Sequence, residues 1–191
     1  MLVTSIHGAF SSPTAFNYVI DKSKHIWQSV DYSDKTTGID EIVEKLYENI
    51  TTDTILVGHS LGGVIGALLL AHEKIHGLIT IGSPLGGIRL NHMFSMYMAK
   101  SFVSELKPRG KIIQSTQISL HNTEKDVYHV ITTRGFNPFI FSESDGVVEV
   151  SSQLTTTHCK IHMNYGHNEI MTSPELVQNI DILIERIKND L

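Results

Sequence analysis

Three features of this 191-residue sequence predict an α/β fold of about six mostly parallel strands with helices on both faces. Apolar runs of strand length alternate with segments of helical period, the pattern left by crossovers that join parallel strands. Two of those runs, Ile55-Leu56-Val57 and Leu78-Ile79-Thr80-Ile81, are short, rich in β-branched residues and flanked by glycine, as central strands covered on both faces should be. The connection over residues 84–121 is too long for a plain loop, so it is expected to carry one or two helices after the fourth strand, starting with about 88–106.

In chain order, strands are expected at 2–7, 26–31, 54–58, 77–82, 127–133 and 159–165. Helices are expected at 13–22, 39–50, 61–74 and 174–188. The second carries Ile39, Ile42, Val43, Leu46, Tyr47 and Ile50 at spacings of three and four with charged residues between, which implies one buried stripe. The last is announced by Ser173-Pro174-Glu175, an N-cap hydroxyl, a proline in the first turn and an acid at the positive helix end. Residues 134–158 read as irregular loop. No internal repeat or interdomain linker interrupts the pattern, so residues 1–191 read as one domain, with 85–121 inserted in it either as a cap or lid or as further core.

Composition narrows the function classes. A chain of this length buries roughly 70% of the surface its unfolded form would expose, enough for one core. The formal net charge of −5 and the absence of basic runs disfavour nucleic-acid phosphates as partners. Cys159 is the single cysteine, which excludes an intrachain disulfide and weakly favours a reducing compartment; at a strand start it is expected to be packed. With no stretch near the ~20 apolar residues of a membrane span and no signal-peptide pattern in the sequence as given, a cytoplasmic protein is expected.

The chemistry-bearing motif is Gly58-His59-Ser60-Leu61-Gly62. A serine between glycines at a sharp strand-to-helix turn is presented as a nucleophile, and the helix that follows directs backbone N–H groups towards a developing oxyanion. Here a predicted strand ends at Gly58 and a predicted helix starts at Leu61; the bland alternative is a glycine-rich turn with a surface serine. A serine hydroxyl needs a base, and the base an orienting carboxylate. His167, in Tyr165-Gly166-His167-Asn168, follows the sixth strand on the edge where Ser60 emerges, whereas His158 and His162 fall before and inside that strand. Asp145, in Ser144-Asp145-Gly146, follows the fifth strand and is preferred as the acid, with Glu143 and Glu149 as competitors and a plain Asp-Gly turn as the alternative reading. The oxyanion donors are expected to be the N–H groups of Leu61 and of Ala9, or else Phe10, in the loop after the first strand, which His7 would orient.

Together, His7-Gly8, the Ser60 motif, Gly82-Ser83-Pro84-Leu85-Gly86-Gly87, Asp145-Gly146-Val147-Val148 and Gly166-His167-Asn168-Glu169 resemble the compact lipase/esterase branch of the α/β-hydrolases. Leu85 stands where that branch commonly has a histidine, so no role transfers to it. The resemblance implies a minimal α/β-hydrolase sheet of order 2-1-3-4-5-6 without the two antiparallel leading strands of larger members. It also implies a Ser60–Asp145–His167 triad and hydrolysis of a small-molecule or lipid acyl ester through an acyl-enzyme, without metal or cofactor. It does not separate lipase, esterase, phospholipase and thioesterase.

Ile88, Leu90, Met93, Phe94, Met96, Tyr97, Met98, Phe102, Val103 and Leu106 would form an apolar, Met-rich surface over the site or pack as core. His72-Glu73-Lys74-Ile75-His76 matches the spacing of a zinc-peptidase helix, but Gly77 ends that segment at once, so zinc catalysis through His72 and His76 is a remote alternative. A binding module on the same fold, without catalysis, is the nearer one.

Overall fold

The computed structural model describes residues 1–32, 38–89 and 102–191. Among them, β1 (Leu2–Ile6), β2 (Trp27–Val30), β3 (Thr54–His59), β4 (Ile75–Ile81), β5 (Asp126–Thr132) and β6 (Cys159–Met163) form one sheet. Its order is β2-β1-β3-β4-β5-β6 and every neighbouring pair is parallel, as the family resemblance implies. A 3-10 turn at Pro13–Phe16 leads into α1 (Asn17–Lys22) between β1 and β2. The later crossovers carry α2 (Ile39–Asn49), α3 (Leu61–Leu69), α4 (Lys111–Asn122) and the short α5 (Val150–Gln153), and α6 (Pro174–Asn189) follows β6. No helix among the described residues is long and apolar enough to cross a membrane.

Strand alternation divides the core into two layers. Val3, Ile55, Val57, Ile79 and Ile81 point to the face covered by Phe16, Val19 and the α6 stripe Leu176, Ile180, Leu183, Ile184 and Ile187. Ile6, Leu56 and Leu78 point to the other, covered by Ile39 and Ile42 of α2, Leu61 to Leu69 of α3, and Ile112, Ile113 and Leu120 of α4. Each such fully buried side chain contributes roughly 1.5–3 kcal/mol. The α6 start is capped as its sequence predicts: Ser173 Oγ accepts from the Leu176 N–H at 3.3 Å, and Pro174 needs no partner.

Four details differ from the sequence expectation. α3 ends at Leu69, five residues before 74, because Lys125 Nζ donates to the carbonyls of Leu70 and His72 at 2.7 Å each and fixes a turn there; β4 then begins at Ile75. The connection after β4 contains a 3-10 turn at Phe102–Leu106 and α4, which packs into the core against α3, while Leu90, Met93, Phe94, Met96, Tyr97 and Met98 lie outside the described residues. Residues 150–153 are helical where irregular loop is expected. Cys159 is exposed and not packed, because β6 is an edge strand whose burial deepens only at Met163.

His129 of β5 is fully buried, with Nδ1 paired to Thr80 Oγ1 at 2.7 Å and Nε2 without a partner. Burial, helped by the positive potential of His158 and Lys160, pushes its pKa down to about 3. The unfolded chain therefore binds a proton that the fold excludes, so stability is lost as pH falls from about 6.5 towards 3, at roughly 1.4 kcal/mol per pH unit. Urea unfolding of His129→Leu between pH 7 and 4 is expected to show a slope shallower by about that amount. An unchanged slope would show that His129 is not the excluded proton site.

Candidate active site

Ser60 sits between the last residue of β3 and the first of α3, at φ 55° and ψ −121°. That conformation costs an L-residue of order 1–3 kcal/mol and is held by its surroundings. Its N–H donates to the Ile81 carbonyl at 2.9 Å and its carbonyl accepts from Gly63 at 3.1 Å. The turn can form only with close backbone approach: a Cβ on Gly62 would lie 2.0 Å from the Ile6 carbonyl oxygen. β1 and the elbow are thus pressed together, which brings the loop after β1 alongside Ser60.

In that loop His7 is buried, donates from Nδ1 to the Gly8 carbonyl at 2.9 Å and stacks on Tyr32 at 4.1 Å between centroids. Tyr32 returns its hydroxyl to the His7 carbonyl at 2.5 Å. Burial lowers the His7 pKa, so the ring that braces the loop is neutral. Ala9 and Phe10 follow on the wall of the same cavity as Leu61, and Phe10 has a left-handed φ of 55°. Leu61 is the first helical residue, so its N–H belongs to the group that α3 cannot satisfy internally.

The structure brings Asp145 to His167 and leaves Glu143 exposed. His167 Nδ1 meets Asp145 Oδ2 at 2.7 Å, and the His167 N–H donates to the Asp145 carbonyl at 3.0 Å. Asp145 is 2% exposed, and both of its oxygens are provided for. Oδ1 accepts from the N–H groups of Val147 and Val148 at 3.0 and 2.7 Å. Oδ2 accepts also from Thr132 Oγ1 at 2.5 Å. Burial alone would raise this carboxyl's pKa; the hydrogen bonds and charge of His167, with Thr132 and Val148, outweigh it and hold the group below the usual carboxylate range.

Three participants carry no sequence signal. Thr132 ends β5 like any strand threonine. Gln153 of α5 reads the end of the same strand from the side, accepting from the Thr132 N–H at 2.9 Å and donating to its carbonyl at 3.0 Å. His59, buried beside Ser60, donates from Nε2 to the His167 carbonyl at 2.9 Å.

Ser60, His59 and His167 face one cavity of about 750 Å³, whose apolar wall includes Ile88, Leu106, Phe139, Ile140, Val147 and Met171 among the described residues. Ser60 opens on this cavity without a hydrogen bond to the His167 ring, whose own bond runs to Asp145. The two histidines of the zinc-like motif are not one helical turn apart on a helix: His72 follows the end of α3, its Nδ1 accepting from the Lys74 N–H, and His76 is in β4, paired with Asp53 at 2.7 Å. His162 is exposed on β6.

Because the Asp145 pKa is depressed in the fold, its stabilising contribution is present above the unfolded carboxylate's pKa and is lost as pH falls through the folded value. Thr132→Val removes one donor to the charged form, so the Asp145 carboxyl is expected to titrate at a higher pH, and acid unfolding to begin earlier. Carboxyl-carbon NMR titration of both proteins reads this directly; identical Asp145 titrations would refute the assignment of that bond.

The family model of the PGAP1-like alpha/beta domain matches residues 31–185. No curated protein matches the chain by sequence. Among solved structures, the mature lipase BlEst2 of Bacillus licheniformis is similar at a TM-score of 0.69 and 14% identity, covering 97% of this chain and 91% of that one. The naproxen esterase of Bacillus subtilis is similar at 0.62 and 13%, covering 97% and 82%. Phospholipase PlaB of Legionella pneumophila, in complex with thio-NAD, is similar at 0.70 and 14%, covering 100% and 64%. At these identities the likeness is one of fold, and the fold is that of the α/β-hydrolases. With most of its length matched by the family model, the chain belongs to the PGAP1-like alpha/beta domain family.

Proposed function

We propose that the protein is a serine hydrolase of carboxylic acyl esters, with Ser60 as nucleophile, His167 as general base and Asp145 as the acid that orients it. The observation that carries this reading is the buried Asp145–His167 pair, 2.7 Å apart, whose histidine lines the same cavity as the strained Ser60. With Nδ1 committed to Asp145, the His167 Nε2 is the nitrogen left to take a proton from Ser60. The serine oxygen then bonds to the acyl carbon, and the carbonyl oxygen gains the negative charge. The N–H groups of Leu61 and Ala9 are the proposed donors to that oxyanion; the Ser60 N–H is already used by Ile81. Collapse expels the alcohol, which takes the proton back from His167 Nε2, and leaves an acyl-enzyme. Water, activated by the same nitrogen, releases the acid.

The lining supports an acyl substrate. Ile88, Leu106, Ile140 and Met171 offer hydrocarbon contact, and a cavity of about 750 Å³ lies within the ordinary range for small-molecule sites. Solved structures of the same fold named as lipase, esterase and phospholipase support the same class. A lipid or small-molecule ester with an apolar acyl chain is accordingly the proposed substrate.

A fluorophosphonate probe is expected to label the wild-type protein and not Ser60→Ala. In a series of p-nitrophenyl esters from acetate to palmitate, Ser60→Ala should lose activity by at least about 10³-fold, and Asp145→Asn by a similar factor with little change in KM. Folded wild-type protein that neither labels nor hydrolyses any member of the series would replace this reading with that of a binding module on the same fold.

A further inference from the structure

We propose that His59 is a positioning residue that locks the base His167 to the nucleophile elbow through its backbone, an inference that rests on the hydrolase reading above. The His167 peptide is gripped on both sides. Its N–H donates to the Asp145 carbonyl at 3.0 Å, and its carbonyl accepts from His59 Nε2 at 2.9 Å. The first grip reaches the acid's own loop; the second reaches the residue bonded to Ser60, 108 positions earlier in the chain. Base and nucleophile therefore share a rigid link even while no hydrogen bond joins their reacting atoms.

The environment of His59 suits that role. It is the last residue of β3, 4% exposed, with its ring centroid 4.8 Å from that of His167. Because the partner is a carbonyl oxygen, Nε2 carries a hydrogen and the neutral ring is the Nε2–H tautomer. Burial, with the nearby His167 ring adding to it and Asp145 opposing, pushes its pKa down to about 3. His59 thus stays neutral when His167 becomes an imidazolium during turnover, and it adds no second positive charge at that distance. A ring that faces the cavity but has its donor committed to the backbone is unsuited to proton transfer itself.

Two substitutions separate this link from mere packing. Gln places an amide N–H near the Nε2 position, whereas Met fills similar space without a donor. His59→Met is expected to lower kcat by about tenfold to a hundredfold with KM within twofold, the scale of a misplaced catalytic group. His59→Gln should restore most of kcat, and its kcat/KM should rise with pH along the wild-type curve. Loss of the pH dependence in His59→Gln, or equal losses in both variants, would overturn the proposal. A second readout does not need turnover: the ring C–H resonance of His167 is expected to be single and sharp in wild type and His59→Gln but broadened or doubled in His59→Met. Identical spectra in all three would also overturn it. Failure of the hydrolase reading would appear separately, as wild-type protein without labelling at Ser60.

Discussion

A carboxylate removed from water has to be compensated bond by bond, and the Asp145 carboxylate organises the carboxyl end of the sheet around that requirement. Its partners come from its own turn, from the end of β5 and from the loop beyond β6. Gln153 then secures the β5 residue that serves it, binding both the N–H and the carbonyl of Thr132. Three chain segments are thereby registered to one another. The cost of leaving such a group unpaired, several kcal/mol, exceeds what any single surface contact in these loops contributes.

Close backbone approach lets a glycine-rich elbow and a long loop fit together. Gly62 lets β1 and α3 touch at backbone distance, and Gly135 does the corresponding service further along, where an added Cβ would fall 2.0 Å from the Asp145 backbone. Side chains removed from these two points bring chemistry from β1, β3, β5 and β6 within one cavity. The parallel order places the carboxyl ends of all these strands on the same edge, which is where crevices form in sheets of this kind.

Much of this was legible in the residues. Central strands betray themselves as short β-branched runs because both their faces are buried, and α6 through a cap, a proline and a stripe that act locally. Ser60 and His167 stand out because strand, turn and helix patterns place both on one edge of the sheet, whereas Asp145 is preferred over Glu143 by its position and by the family resemblance. What escaped depends on distant partners. Leu70 and Ala71 extend the apolar period of α3, yet the helix stops where a lysine from just before β5 takes the carbonyls of Leu70 and His72. Gln153 looks like any loop amide until α5 aims it at Thr132, and His59 looks like a variable position of a motif until the fold brings the His167 carbonyl to it. Cys159 is exposed where its sequence predicts packing, because a strand's position at the sheet edge is a property of topology and not of its own composition.

The backbone at Ser60 has a consequence for the history of such a chain. A side chain held at φ 55° opposes the fold at that position, and a glycine there would relieve the opposition without disturbing the hydrogen bonds of its N–H and carbonyl. Drift under selection for stability alone would therefore tend to erase the serine first and keep the scaffold. A serine kept at this backbone conformation therefore carries a standing thermodynamic handicap that a glycine would not.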